Sequence, residues 1–404
     1  MRNIVFVAPF PMETTLRFAH ALRALAGVRL LGVWQEAPRG PDRAIFDDIV
    51  TVGNALSADA LTEGVAALAR RHGPPHRILG VLEDLQVPLA TVRQRFGVPG
   101  MTPAVARRFR DKGLMKDALR AAGLPCARHA RLRSPKAAWD FVEEVGFPVV
   151  LKPPAGAGCR STWRVDSPQA LTEALREIAP SSGREVLAEE FLTGAEHSYE
   201  TITAGGVPRF TSISRYYPGP LEVMRTPWIQ WVVVLPRSVD GPEFAAAHAV
   251  GRKAVTALGL DAGMTHMEWF RRPDGSVAIG EIAARPPGAQ IVKLTGLAHD
   301  ADLHRAWARA VVDDAFDGPW ERKYAVGIAF LRGPGAGRVA AVEGLDDAQR
   351  AMGHLVVEAR LPQVGAPRAE GYEGEGWAIV RHPDTEVVKA AMRELIERVK
   401  VRYA

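Results

Sequence analysis

Cysteine is almost absent from this chain: Cys126 and Cys159 are the only two in 404 residues. Neither stands in a metal-ligand or redox spacing, which excludes a disulfide framework and a zinc module. Long apolar runs are missing too. The run at 4–10 spans about seven residues and includes Pro9, whereas a membrane helix needs roughly 20. A basic start followed by a longer apolar segment, the mark of a signal peptide, is also lacking. The expectation is a soluble, cytoplasmic protein with no membrane contact.

Charge of one sign does not dominate: 51 Lys and Arg face 46 Asp and Glu, a formal net charge of +5. The basic residues are scattered or interleaved with acids, and no aromatic–basic stripe suits RNA, so no nucleic-acid partner is expected. There is no internal repeat and no low-complexity segment. The first turn, Pro9-Phe10-Pro11-Met12-Glu13, has no glycine fingerprint, which argues against a dinucleotide site and for a scaffold lobe.

What is present is an alternation of strand and helix patterns. Strands are predicted at 4–8, 29–34 and 78–82, and helices at 14–26, 60–71 and 87–96. That alternation predicts a parallel sheet with covering helices. A basic helix is predicted over 102–122, stopped by Gly123-Leu124-Pro125. Antiparallel strands follow over 197–235. A strand pair, 264–270 with 277–282, surrounds the turn Arg272-Pro273-Asp274-Gly275. The last ~80 residues read as two or three strands and a charged helix at 385–400.

Four segments carry chemistry. In Val149-Val150-Leu151-Lys152-Pro153-Pro154-Ala155-Gly156-Ala157-Gly158-Cys159-Arg160-Ser161, an apolar strand ends in a lysine and a small-residue loop. Glycine lets backbone N–H groups approach phosphate oxygens, and the lysine adds a point charge. The loop is not a Walker motif, because no Gly-Lys-Ser/Thr follows. The plain alternative is a turn beside a surface lysine. Lys112, within Phe109-Arg110-Asp111-Lys112-Gly113-Leu114-Met115-Lys116, would open a helix and converge on the same phosphates; its alternative is a solvated helix-face charge. In the segment from Val186-Leu187-Ala188-Glu189-Glu190-Phe191-Leu192 to Glu196, an acidic pair closes a strand and a further carboxylate follows a glycine turn. Carboxylates there could accept from an adenine amino group and ribose hydroxyls; an edge strand with charged ends is the alternative.

The fourth segment holds Glu268 and Glu281, one on each strand of the predicted hairpin. A hairpin can set both carboxylates opposite each other on one face. Two like charges so close need a counter-charge, and Mg²⁺ bridging to phosphates supplies one. Arg285 follows within reach of a phosphate or a carboxylate. The alternative is a pair of exposed carboxylates, one paired with Arg285. His266 is a candidate general base or a buried structural histidine.

Taken in chain order, with helix lysine, strand lysine and loop, acidic segment and paired glutamates, the segments resemble the ATP-grasp superfamily over 102–312. Glu281-Ile282-Ala283-Ala284-Arg285-Pro286-Pro287-Gly288 resembles its carboxylate–amine ligase branch, including the L-amino-acid ligases. The resemblance implies an α/β ATP-grasp fold: a Rossmann-like lobe at 1–100, the ATP-grasp domain at 101–320 with a lid at about 148–200, and a small α+β lobe at 321–404. It implies that Lys112 and Lys152 bind ATP phosphates under a flexible loop containing Gly156, Ala157, Gly158 and Ser161. Glu189 would hold the adenine amino group, Glu190, Phe191 and Leu192 would form its hinge, and Glu196 would hold the ribose. Glu268 and Glu281 would coordinate Mg²⁺, with Mn²⁺ as a substitute, and Arg285 would steady an acyl phosphate. The family often has Asn where Ala283 stands, and alanine cannot ligate a cation. The implied partners are a small carboxylate and an amine, joined with ADP release; a homodimer is left open. The rival readings are a carboxylase of the biotin-carboxylase type and a nucleotide-binding regulator without catalysis.

Overall fold

The computed structural model describes residues 1–156, 162–226 and 228–404. Its first lobe holds β1 (Arg2–Ala8), β2 (Val28–Trp34), β3 (Asp48–Thr51) and β4 (Arg77–Leu79), parallel in the order β3-β2-β1-β4. Helix Glu13–Arg23 covers one face, packing Phe18 and Leu22 on Ile4 and Phe6. Helix Ala58–His72 covers the other, packing Leu61 and Leu68 on Val5 and Val7. Burial on both faces is why β1 reads as a continuous apolar run rather than an alternating one. β3 carries no sequence signal of its own and was not expected. The 78–82 strand is shorter than expected because the chain turns at Glu83–Leu85 into a 3₁₀ turn.

The basic helix expected over 102–122 is two helices, Pro103–Arg110 and Lys112–Ala121. Asp111 breaks them with an extended ψ of 110°, and its carboxylate accepts from Gly113 N and Leu114 N, both at 2.9 Å. An aspartate that caps a new helix satisfies donors that a continuing helix would have bonded differently. The restart puts Lys112 at the first position of the second helix and Lys116 one turn on.

A small antiparallel sheet follows, with β5 (His129–Leu132), β6 (Val149–Lys152), β7 (Trp163–Val165) and β8 (Val186–Glu190) in the order β5-β8-β6-β7. Helices Pro135–Val145 and Pro168–Ile178 pack on it through Phe141, Leu171 and Leu175. Next come β9 (Ala195–Ala204), β10 (Val207–Tyr217), β11 (Trp231–Leu235), β12 (Gly263–Arg271) and β13 (Val277–Ala283). They are joined by β14 (Ala325–Leu331), β16 (Val356–Arg360) and β17 (Gly376–His382), introduced together with β15 (Val339–Glu343) and β18 (Lys400–Tyr403).

The eight-stranded sheet runs β13-β12-β9-β10-β11-β14-β17-β16, and β15 pairs with β18 apart from it. The last residues therefore hold five strands, not two or three. The extra ones escaped notice because β16 is an exposed edge strand and β18 is half charged, so neither alternates cleanly. The final helix is Thr385–Arg398. Among the described residues no helix is long and apolar enough to cross a membrane.

Candidate active site

The period of two along β9, β10, β12 and β13 makes this site. On β12, Met267 and Trp269 turn into the core with Tyr199, Ile213 and Ile282. Their neighbours His266 and Glu268 turn the other way, with Ser198 and Glu200 of β9, Ser214 and Tyr216 of β10, and Glu281 of β13. The small sheet β5-β8-β6-β7 stands over this polar face and leaves a cleft of about 960 Å³. Lys112, Lys152, Glu196, Glu268, Glu281 and Arg285 all line it.

Glu268 and Glu281 are direct partners across the β12–β13 pair, the arrangement the hairpin spacing predicted. A bulge after Glu268 shifts the register beyond it. Neither carboxylate waits alone. Lys112 Nζ lies 2.7 Å from Glu281 Oε1, and His266 Nε2 lies 3.8 Å from Glu268 Oε1. Burial pushes the Glu281 carboxyl up, but Lys112 and Lys152 outweigh it and hold it at about 2. The counter-charge that the sequence reading assigned to a cation is thus supplied here by side chains. Lys112 also donates to Gly156 O at 2.8 Å, and its backbone N to Pro154 O at 2.9 Å, tying the helix start to the loop. Of that loop, Ala157, Gly158 and Ser161 lie outside the described residues, as does the stretch between them.

Lys152 ends β6 and meets Glu189 of β8, with Nζ 2.9 Å from Oε2. Lys116, a residue the sequence reading did not single out, closes the other side. Its Nζ lies 3.0 Å from Glu189 Oε1 and donates to Gly280 O at 2.5 Å. Lys116 is fully buried. Burial lowers its affinity for a proton, and Glu189 opposes that. Burial raises the Glu189 carboxyl, but the two lysines bring it below the ordinary value. Glu189 was expected to read an adenine amino group; its carboxylate is instead committed to two lysines. The signal for Lys116 was in the sequence: it sits one helical turn from Lys112, on the same face.

Glu190 ends β8, and its side chain is bonded within the protein. Its carboxylate accepts from Arg128 N at 3.0 Å and Arg128 Nε at 2.8 Å, which joins β8 to the chain entering β5. Phe191 and Leu192 line the cleft between β8 and β9, with the Arg164 guanidinium 4.2 Å from the Phe191 ring centre. Glu196, at the start of β9, has no ion-pair partner among the described residues. Burial and the nearby Glu268 raise its carboxyl well above the ordinary value.

His266 is buried between two carboxylates, with Nδ1 3.0 Å from Glu200 Oε1 and Glu268 beyond the other nitrogen. Burial alone would lower its pKa; the bonds to Glu200 and Glu268 raise it overall. Bonded to Glu200 on one nitrogen and facing Glu268 with the other, His266 is placed to orient Glu268. Arg285, just past β13, donates from Nε to Glu83 Oε2 at 3.0 Å, and Arg110 Nη1 lies 3.0 Å from Glu83 Oε1. Glu83 sits just past β4 and ties the first lobe to the cleft. Nothing local in the sequence marked it.

No group of three His, Cys, Asp or Glu side chains among the described residues could hold a metal. Two opposed carboxylates beside an alanine do fit a hard cation that takes its remaining oxygens from phosphates and water.

Comparison with known proteins bears on the domain and the fold. The ATP-grasp domain family matches residues 117–296. By sequence the chain is 26% identical over 258 residues to an L-arginine-specific L-amino acid ligase of Bacillus subtilis, covering 62% of this chain and 59% of that one. It is 28% identical over 156 residues to a D-alanine–D-alanine ligase of Methylibium petroleiphilum, covering 38% and 46%. The chain thus spans about half the length of these relatives. By structure it superposes on an L-amino acid ligase from Bacillus licheniformis with a TM-score of 0.79 at 18% identity, over 100% of this chain and 99% of the other. An N5-carboxyaminoimidazole ribonucleotide synthetase from Thermotoga maritima gives 0.72 at 18% identity, over 100% of both chains. Residues 117–296 thus match the ATP-grasp domain, and the fold is that of the solved L-amino acid ligase and ribonucleotide synthetase.

Proposed function

We propose that this protein is an ATP- and Mg²⁺-dependent ligase that joins a small carboxylate to an amine, releasing ADP and phosphate. The observation that carries the reading is the meeting of Lys112, Lys152, Glu268, Glu281 and Arg285 in one cleft from four separate segments. Their chemistry is that of phosphoryl transfer, in which positioning and charge neutralisation do most of the work. The sequence relatives, both amide-forming ligases by name, favour the amine-using branch.

In this reading Lys112 and Lys152 bind the phosphate chain. The lining residues Phe191 and Leu192 take the base, and Glu196 takes the ribose. Glu189 positions Lys152, since Lys116 anchors it from below. Glu268 and Glu281 would hold Mg²⁺, which supplies charge neutralisation at the phosphates. Lys112 would then turn from Glu281 toward the nucleotide. Arg285, kept in place by Glu83, faces the acid.

The carboxylate oxygen attacks the γ-phosphorus, the bond to the bridging oxygen of ADP breaks, and an acyl phosphate forms. The neutral amine then attacks the acyl carbon, the carbon–oxygen bond to phosphate breaks, and the amine proton leaves with the phosphate. Glu200 and His266 keep Glu268 aimed into the cleft throughout.

The test is ADP release from ATP with and without pooled amino acids. Release that requires both a carboxylate and an amine, with the amide found by mass spectrometry, supports the ligase. Release driven by bicarbonate, or none with any mixture, sinks it.

A further inference from the structure

The turn between β13 and helix Ile291–His299 has an unusual backbone. Ala289 and Gln290 have φ of 52° and 58°, two consecutive non-glycine residues in the left-handed region. Such residues persist where the surroundings hold them. The turn also forms a wall of the cleft, four residues beyond Arg285.

The hold comes from the far end of the chain. Glu373, on the connection between β16 and β17, accepts from Ala289 N at 3.2 Å. Its neighbour Tyr372 lies against Trp231, with ring centres 4.7 Å apart at 71°. A methyl group on Gly288 would come within 3.9 Å of Tyr372 Oη. The connection that presents this pair is anchored. Gly365 N donates to Val339 O at 2.7 Å, Ala369 N to Glu375 Oε1 at 2.8 Å, and Glu375 N to Leu331 O at 3.1 Å.

The walls facing Tyr372 are apolar and fixed. Trp231 is buried, donates Nε1 to Pro218 O at 3.0 Å and stacks on Phe330. Tyr216 meets Trp231 edge-on at 5.3 Å, and Ile291 is buried beside them. Arg225 and Glu222 stand at the exposed rim, and Arg215 lies over the Tyr217 ring. Beyond Arg285, then, Tyr216, Trp231 and Tyr372 give the cleft an aromatic lining.

We propose that Tyr372 and Glu373 determine substrate specificity: Glu373 holds the Ala289–Gln290 turn, and Tyr372 completes the aromatic wall. The cleft so lined takes a substrate with an apolar or aromatic side chain. This rests on the ligase reading above. Burial raises the Glu373 carboxyl above its ordinary value, and the bond from Ala289 N opposes this.

The experiment measures substrate-dependent ADP release by the full chain. Leucine, methionine and phenylalanine are compared with aspartate and lysine, using wild type, Tyr372→Ala, Glu373→Ala and Glu373→Gln. Wild type is expected to favour the apolar group by about tenfold or more in kcat/KM. Tyr372→Ala should raise KM for the apolar substrate by about tenfold while leaving KM for ATP alone. Glu373→Ala should do the same, and Glu373→Gln, whose amide oxygen still accepts from Ala289, should recover most of the loss. A wild type that prefers charged side chains overturns the proposal. So does Tyr372→Ala with unchanged selectivity, or Glu373→Gln as damaged as Glu373→Ala. No ADP release by wild type with any amino acid overturns the ligase reading and this proposal together, which separates the two failures.

Discussion

Replacing Lys116 with methionine tests the charge network beneath the cleft. Lys116 Nζ, fully buried, lies 3.0 Å from Glu189 Oε1 and 2.5 Å from Gly280 O. Methionine keeps most of the stem and removes the charge. Removing one partner of a buried ion pair costs about 3–5 kcal/mol, because the other charge stays behind. Glu189 keeps Lys152 at 2.9 Å, which places the pair loss near ~3 kcal/mol. The lost bond to Gly280 O adds about 1–2 kcal/mol. A total of roughly 4 kcal/mol should lower the melting temperature by on the order of 5 °C.

Glu189→Gln should be at least as damaging, since it leaves two buried lysines facing a neutral amide. The double variant decides the matter. If the charges interact as the geometry shows, Lys116→Met with Glu189→Gln should destabilise less than the two singles added, by about 1–3 kcal/mol. Denaturant unfolding followed by circular dichroism gives all four corners of this cycle. A Lys116→Met midpoint indistinguishable from wild type, or strict additivity in the double variant, would refute the network.

Three further outcomes follow from the same geometry. Glu281→Gln should abolish ADP release while leaving the circular dichroism spectrum intact; near-normal release would remove Glu281 from the proposed metal pair. Lys152→Ala should weaken ATP binding by about ten- to a hundredfold through loss of a charged phosphate contact, read by calorimetry; unchanged affinity would place Lys152 outside the nucleotide site. His197, stacked on Trp269 at 4.4 Å, has its pKa lowered from 6.5 to about 4, chiefly by burial. The fold therefore favours its neutral form: its contribution is complete above pH 6.5 and is lost as pH falls toward 4, to at most about 3 kcal/mol. His197→Phe keeps the stack and should flatten the fall in stability between pH 6.5 and 4; an unchanged slope would mean that other groups govern acid unfolding.

The sequence by itself determined much of this protein, wherever chemistry and period coincide over a few residues. The run of β1 declared a strand buried on both faces. The turn Arg272-Pro273-Asp274-Gly275 fixed a hairpin, and the hairpin fixed Glu268 opposite Glu281. An apolar strand ending in Lys152 pointed to an anion site but left a surface lysine open, and the fold places Lys152 in the cleft beside Glu189.

Tertiary structure decided which groups each side chain faces. Glu189 looked free to meet a base in sequence, yet Lys116 and Lys152 reach it from two other elements. Glu83 acquired a role only when the first lobe docked against Arg110 and Arg285. Glu373 reached Ala289 only because β14, β17 and β16 extend the central sheet and carry their connection back to the cleft. The physical reason is one of range. Backbone period and turn chemistry act over a handful of residues and leave their mark in local order. A carboxylate's partner is set by whichever charge the fold brings within about 3 Å, and that distance is not written in the spacing along the chain.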